Sequence, residues 1–183
     1  MRVIPIIQLG VGGVGAALVR QILANREFHG ETYGLQLQYV ALCDSNGAVI
    51  ESHGMADDFL ETLLAWKAEG KRLADHEQGG KQNNLAAIVD IAGRDGAVVV
   101  DCTASDNTVP ALTTALDRGY SIALANKKPL TVNQEVYTRL TSAGATRNRD
   151  GTVQPAVRHL GRSRWETTVG AGLPVIATLN RLV

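Results

Sequence analysis

Ile7-Gln8-Leu9-Gly10-Val11-Gly12-Gly13-Val14-Gly15-Ala16-Ala17-Leu18-Val19 is the stretch that decides the fold. Gly10, Gly12 and Gly15 form the pattern G-x-G-x-x-G, with an apolar run from Val3 to Leu9 before it and a helical pattern from Val14 to Leu23 after it. A glycine loop between a strand and a helix is the context of a dinucleotide-binding turn. Gly10 permits a tight turn, Gly12 lets backbone approach a pyrophosphate, and Gly15 lets the helix pack close to the strands. The helix start, with Val11, Gly13 and Val14 around it, presents unpaired N–H groups and a positive dipole end to phosphate.

Outward from this loop, the near-continuous apolar run at Val3–Leu9 predicts a strand buried on both faces of a parallel sheet. Val14–Ala24 predicts a helix, Asn25–Gly34 a loop or short excursion, and Leu35–Cys43 a second strand. Asp44 follows at once, where an acidic residue can accept hydrogen bonds from an adenosine ribose. It lies 29 residues beyond Gly15, against an interval of roughly 20 for the usual fingerprint, and the Asn25–Gly34 loop accounts for the excess. The competing reading is a cap on the turn Ser45-Asn46-Gly47. With no Lys or Arg between Ser45 and Ser52 to hold a 2′-phosphate, the ribose reading favours NAD over NADP.

Asp57–Glu69 reads as a helix with Trp66 in its apolar stripe, Lys71–Asn84 as the longest loop, and Leu85–Ala92 as a short helix. Ala97–Cys102 is a further buried strand, and Thr103-Ala104-Ser105 follows its end, where ligands of open parallel sheets sit. Thr103 and Ser105 can touch a cofactor there, or Ser105 or Asp106 can cap the helix Asp106–Arg118. Tyr120–Leu124 is the next strand, and Ala125-Asn126-Lys127-Lys128-Pro129 follows it. A lysine at that edge can bind a carboxylate or polarise a carbonyl; elsewhere it would be a solvated charge. Thr131–Ser142 predicts a helix, Ser163–Thr168 a strand, and Pro174 the start of a last helix. Alternating strands and helices give an α/β, Rossmann-type, doubly wound, mostly parallel sheet with helices on both faces.

With 183 residues and 45% apolar content, the chain is long enough for one globular domain with its own core. Lys plus Arg equals Asp plus Glu at 18 each, and no basic block asks for nucleic acid or an anionic membrane. No run of about 18 apolar residues reads as a membrane span. Cys43 and Cys102 each end an apolar run and read as reduced, buried thiols, so a soluble cytoplasmic protein is expected.

Four stretches together resemble the N-terminal part of homoserine dehydrogenase: Gly10-Val11-Gly12-Gly13-Val14-Gly15, Asp101-Cys102-Thr103-Ala104-Ser105, Ala125-Asn126-Lys127-Lys128-Pro129, and Glu166-Thr167-Thr168-Val169-Gly170-Ala171-Gly172-Leu173-Pro174. The resemblance covers essentially the whole chain, and the last two stretches are its most specific part. It implies interconversion of L-homoserine and L-aspartate 4-semialdehyde with NAD or NADP, on the route to threonine, methionine and isoleucine. It also implies a pyrophosphate on the glycine loop, Thr103 beside the nicotinamide, and a catalytic part for Lys127. A sodium ion held by Glu166, Val169, Ala171 and Leu173, largely through carbonyl oxygens, is implied as well. Family members continue into a catalytic domain that supplies further substrate residues and much of a homodimer interface. Val175, Ile176, Leu179, Leu182 and Val183 form an apolar helical face at the end of this chain, so a truncated piece, unable to turn over alone, is expected. The alternatives are a stand-alone NAD(P)-binding module or redox sensor, and an acylating semialdehyde dehydrogenase, which would need a thiolate nucleophile.

Overall fold

The computed structural model describes residues 1–142, 146–147, 153–154 and 162–168. The chain runs β1 (Arg2–Leu9), α1 (Gly13–Ala24), α2 (Arg26–Tyr33), β2 (Leu35–Cys43), β3 (Gly47–Ile50), α3 (Asp57–Ala68), β4 (Gly79–Lys81) and α4 (Leu85–Ala92). It continues with β5 (Val98–Asp101), α5 (Val109–Asp117), β6 (Ser121–Leu124), α6 (Gln134–Thr141), the short pair β7 (Thr146–Arg147) and β8 (Val153–Gln154), and β9 (Ser163–Arg164).

The main sheet has the order β4-β3-β2-β1-β5-β6-β9. β2, β1, β5, β6 and β9 are parallel, while β3 and β4 extend the β2 edge antiparallel. The chain leaves β1 toward β2 on one side and returns to β5 on the other. That reversal opens a crevice at the carboxyl ends of β1 and β5. One face of the sheet packs Ile6, Tyr39 and Leu42 against Val19 and Ile22 of α1 and Leu60, Leu63 and Leu64 of α3. The other packs Ile7, Leu9 and Val40 against α4 and α5 through Val89, Ala111 and Leu112. The apolar residues of β1 therefore serve both cores, as the buried run predicts.

The structure departs from the sequence expectations in several places. Asn25–Gly34 is not a loop: Arg26–Tyr33 is a helix with no fully buried residue, closed by Gly34 at φ 63°. It had no apolar stripe to read; its signal is the left-handed stop. The expected loop Lys71–Asn84 contains β4 and a 3₁₀ turn at Leu73–Asp75. The expected strand Ser163–Thr168 pairs only at Ser163–Arg164 and then turns through Glu166–Thr168. Trp66 is half-buried rather than a core residue: its indole N–H donates to the Arg72 carbonyl at 2.8 Å and its ring meets His76 edge-on. The expected helix after Pro174 lies outside the described residues.

Candidate cofactor-binding site

The glycine loop sits at the crevice. Gly10 has φ 94°, a conformation that suits glycine. Its N–H donates to the Cys43 carbonyl at 2.8 Å, and a Cβ there would come within 2.9 Å of the Cys102 carbonyl carbon. Gly10 is thus the point where the ends of β1, β2 and β5 converge. A Cβ on Gly15 would overlap the Gly10 carbonyl oxygen. At Gly12 and Gly13, by contrast, a Cβ would meet nothing within 4 Å. Gly12 is the N-cap of α1, no side chain caps that helix, and its first turn holds no acidic residue. An open surface over an uncapped helix start fits a pyrophosphate: among the described residues no side chain caps the N–H groups and no first-turn carboxylate meets the dipole. Val11 is buried beneath the loop and Val14 is exposed on the first turn of α1.

Asp44 is placed differently from the ribose expectation. Its Oδ1 accepts from the Asn46 and Gly47 N–H groups at 2.8 and 2.9 Å. Its Oδ2 accepts from Lys67 Nζ at 2.6 Å and the Leu73 N–H at 2.9 Å. Burial pushes this carboxyl upward, but the Lys67 and backbone hydrogen bonds outweigh that and hold it below the usual carboxylate range. A carboxylate with both oxygens doubly engaged must give up a partner to accept a ribose hydroxyl. In this geometry Asp44 caps the Ser45–Gly47 turn and braces the Leu73 segment. The basic side chains at this end, Lys67, Arg72 and Lys81, come from beyond Ser52; Arg72 and Lys81 line a polar groove beside Ser45 and Asn46.

At the other side of the crevice, a buried polar cluster binds the ends of β5 and β6 together. Asp101 is fully buried; its carboxylate accepts from the Thr103 N–H at 2.9 Å, Thr108 Oγ1 at 2.6 Å and Asn126 Nδ2 at 3.0 Å. Asn126 Nδ2 also donates to Thr103 Oγ1 at 3.0 Å and the Ser105 carbonyl at 2.6 Å, and its Oδ1 accepts the Lys128 N–H. Ser105 Oγ accepts the Asn107 N–H, so it caps the turn Asp106–Thr108 that leads into α5. Thr103, Ala104 and Ser105 are therefore one rigid loop at the crevice, fixed to the segment carrying Lys127. Lys127 itself is exposed and makes no ion pair with any described residue. Thr167 Oγ1 donates to the Leu124 carbonyl at 2.7 Å, which brings the Glu166–Thr168 turn to the same edge. Val169, Ala171 and Leu173 lie outside the described residues. Among the described residues no cluster of His, Cys, Asp and Glu could hold a metal.

Asp101 and Asn126 were not singled out from sequence as organisers of the site. Their signal was present: a charged and a polar residue at the ends of apolar strand runs, where burial demands partners.

The homoserine dehydrogenase NAD-binding domain model matches residues 10–154. The chain belongs to that family. It is 26% identical over 182 residues to the bifunctional aspartokinase/homoserine dehydrogenase of Haemophilus influenzae, covering 100% of this chain and 20% of that protein. It is 29% identical over 177 residues to the homoserine dehydrogenase of Schizosaccharomyces pombe, covering 96% of this chain and 41% of that one. The chain thus spans between a fifth and two fifths of these relatives' length. Two solved folds agree, each with a TM-score of 0.68: a hyperthermophilic archaeal homoserine dehydrogenase in complex with NADPH, 23% identical over 97% of this chain and 48% of that one, and the Thermoplasma acidophilum enzyme, 20% identical over 100% of this chain and 49% of that one. Family membership makes this chain a Rossmann-type homoserine dehydrogenase NAD-binding domain. Among its described residues no helix is long and apolar enough to cross a membrane.

Proposed function

We propose that this domain holds NAD or NADP while L-homoserine and L-aspartate 4-semialdehyde are interconverted, as the cofactor part of a cytoplasmic, homodimeric enzyme in amino-acid biosynthesis. The observation that carries the reading is the open surface over Gly12 and Gly13 at the uncapped start of α1, beside the rigid Thr103–Ser105 loop. The nicotinamide, when bound, supplies the hydride chemistry. The chain's own residues position it. Val11 to Gly15 would hold the pyrophosphate, and Thr103, Ala104 and Ser105 would wall the nicotinamide end. Lys127, exposed at the same edge, would orient the substrate or hold a proton near its carbonyl oxygen. The sodium ion implied by the resemblance would rest on Glu166 and on residues outside those described.

Neither cysteine of this chain fits the thiolate nucleophile that an acylating mechanism uses. Burial pushes the Cys43 thiol up to about 12 and the Cys102 thiol up to about 11, with Asp44 and Asp101 adding to the respective shifts. Neither supplies thiolate near neutral pH.

Calorimetric titration with NAD and with NADP, each followed by L-homoserine, tests the proposal. Saturable binding of at least one dinucleotide is expected, with no enzyme-scale turnover by this chain alone. Absence of binding at millimolar dinucleotide would refute the cofactor role, and full homoserine-dependent reduction would refute the need for further residues.

A further inference from the structure

Gln8 breaks the apolar run of β1, yet it is completely buried between Ile7 and Leu9 in a central strand. An amide there is unfavourable unless its donors and acceptor all find partners. They do. Nε2 donates to the Gly10 carbonyl at 3.0 Å and the Gly15 carbonyl at 3.1 Å, and Oε1 accepts the Tyr39 hydroxyl at 3.0 Å. Tyr39, on the neighbouring strand, is itself fully buried, and that burial raises its phenol far above the ordinary range, so it stays a donor. Resting on the reading of the loop as a pyrophosphate cradle, we infer that Gln8, held by Tyr39, is a positioning residue that latches both ends of the glycine loop and turns its N–H groups toward the cofactor.

The reason lies in peptide geometry. The described chain has no cis peptide, and in a planar trans peptide the C=O and the following N–H point in opposite directions. Drawing the Gly10 carbonyl inward to Gln8 therefore directs the Val11 N–H outward, to the side left open above Gly12. An outward-turned Gly10 carbonyl would instead place the negative end of a peptide dipole against a phosphate. The same latch gives Gly15 a second constraint: a Cβ there would stand 2.8 Å from Gln8 Nε2 as well as overlapping the Gly10 oxygen. An apolar side chain at position 8 would suit the core and leave the loop without this restraint.

The test compares Gln8→Met, close in shape and without the amide, and Tyr39→Phe with the unaltered chain and with Leu112→Ala, a core change among the packed residues of α5 on the opposite face. Dissociation constants for NADH and NADPH are measured by calorimetry well below each melting temperature, and the variants are compared on whichever binds the unaltered chain more tightly. Gln8→Met is expected to weaken binding about tenfold or more and Tyr39→Phe about threefold, while Leu112→Ala lowers the melting temperature and leaves affinity within about twofold. A folded Gln8→Met protein that binds that dinucleotide as the unaltered chain does would overturn the latch. If that variant does not fold, unchanged affinity in Tyr39→Phe overturns it. Failure of the unaltered chain to bind either NADH or NADPH would overturn the cradle reading and the latch with it, and so is distinguishable from a failure of the latch alone.

Discussion

Asp44 and Asp101 stand at the carboxyl ends of two parallel strands, one on each side of the crevice, and are neutralised in opposite ways. Asp44 meets a full charge, the Lys67 ammonium at 2.6 Å, and three backbone N–H groups; its side chain is 8% exposed. Asp101 is fully buried, makes no ion pair with any described residue, and is stabilised by a hydroxyl, an amide and one N–H. A point charge tolerates displacement, whereas oriented dipoles must be held in place. The Asp44 end therefore braces the extension of β3, β4 and the Leu73 turn. The Asp101 end registers the Thr103–Ser105 loop against the Asn126–Lys127 segment, where the reacting end of the cofactor is proposed to lie.

The largest expected effect follows from removing the dipole-held carboxylate. Asp101→Ala would leave the Thr103 N–H without its acceptor and take one acceptor each from the Thr108 hydroxyl and the Asn126 amide, which keep the Ser105 carbonyl, at a cost of about 3 kcal/mol. Urea denaturation measures it, and a loss below about 1 kcal/mol would mean that the cluster relaxes to water. Asp44→Ala should cost less, about 2 kcal/mol, because Lys67 is partly exposed and can turn to solvent. Equal losses at the two sites would remove the distinction between them.

Asp44 also predicts a pH dependence. Its folded carboxyl lies below the ordinary range, so the unfolded chain binds the proton more readily. Its contribution is then full above the ordinary carboxylate pKa of about 4 and is lost as pH falls through the lower folded value. Melting temperature against pH should decline over that acid window and decline less steeply in Asp44→Asn. The smallest expected effect concerns selectivity. With both oxygens of Asp44 engaged internally, Asp44→Asn should leave the ratio of NAD to NADP affinity within about twofold. A selective loss of NAD binding would restore the ribose role.

What the sequence disclosed followed the range of the forces involved. The glycine loop was legible because Gly10 answers to its own backbone angle and Gly15 to atoms a few residues away. The buried strands were legible because both their faces are apolar. The partners of the polar residues were not. Gln8 finds Tyr39 across a neighbouring strand, Asp44 finds Lys67 and Leu73 through an excursion, and Asp101 finds Asn126 only when β5 and β6 pair. Nothing in local spacing encodes those meetings. Arg26–Tyr33 stayed hidden for a different reason: a helix that buries no residue completely lacks the periodic stripe by which helices are read. β3 and β4, four and three residues long, were too short to separate from turns.

The space above Gly12 is the proposed seat of a dinucleotide pyrophosphate. Gly12 has an extended backbone, φ −81° and ψ −162°, open to any side chain, and among the described residues a Cβ there would meet nothing within 4 Å. Calorimetric titration of Gly12→Val with NADPH, alongside its thermal melt, tests the claim most directly. The account predicts a melting temperature within about 2 °C of the unaltered chain and no saturable binding. Undiminished NADPH binding by the folded variant would contradict it.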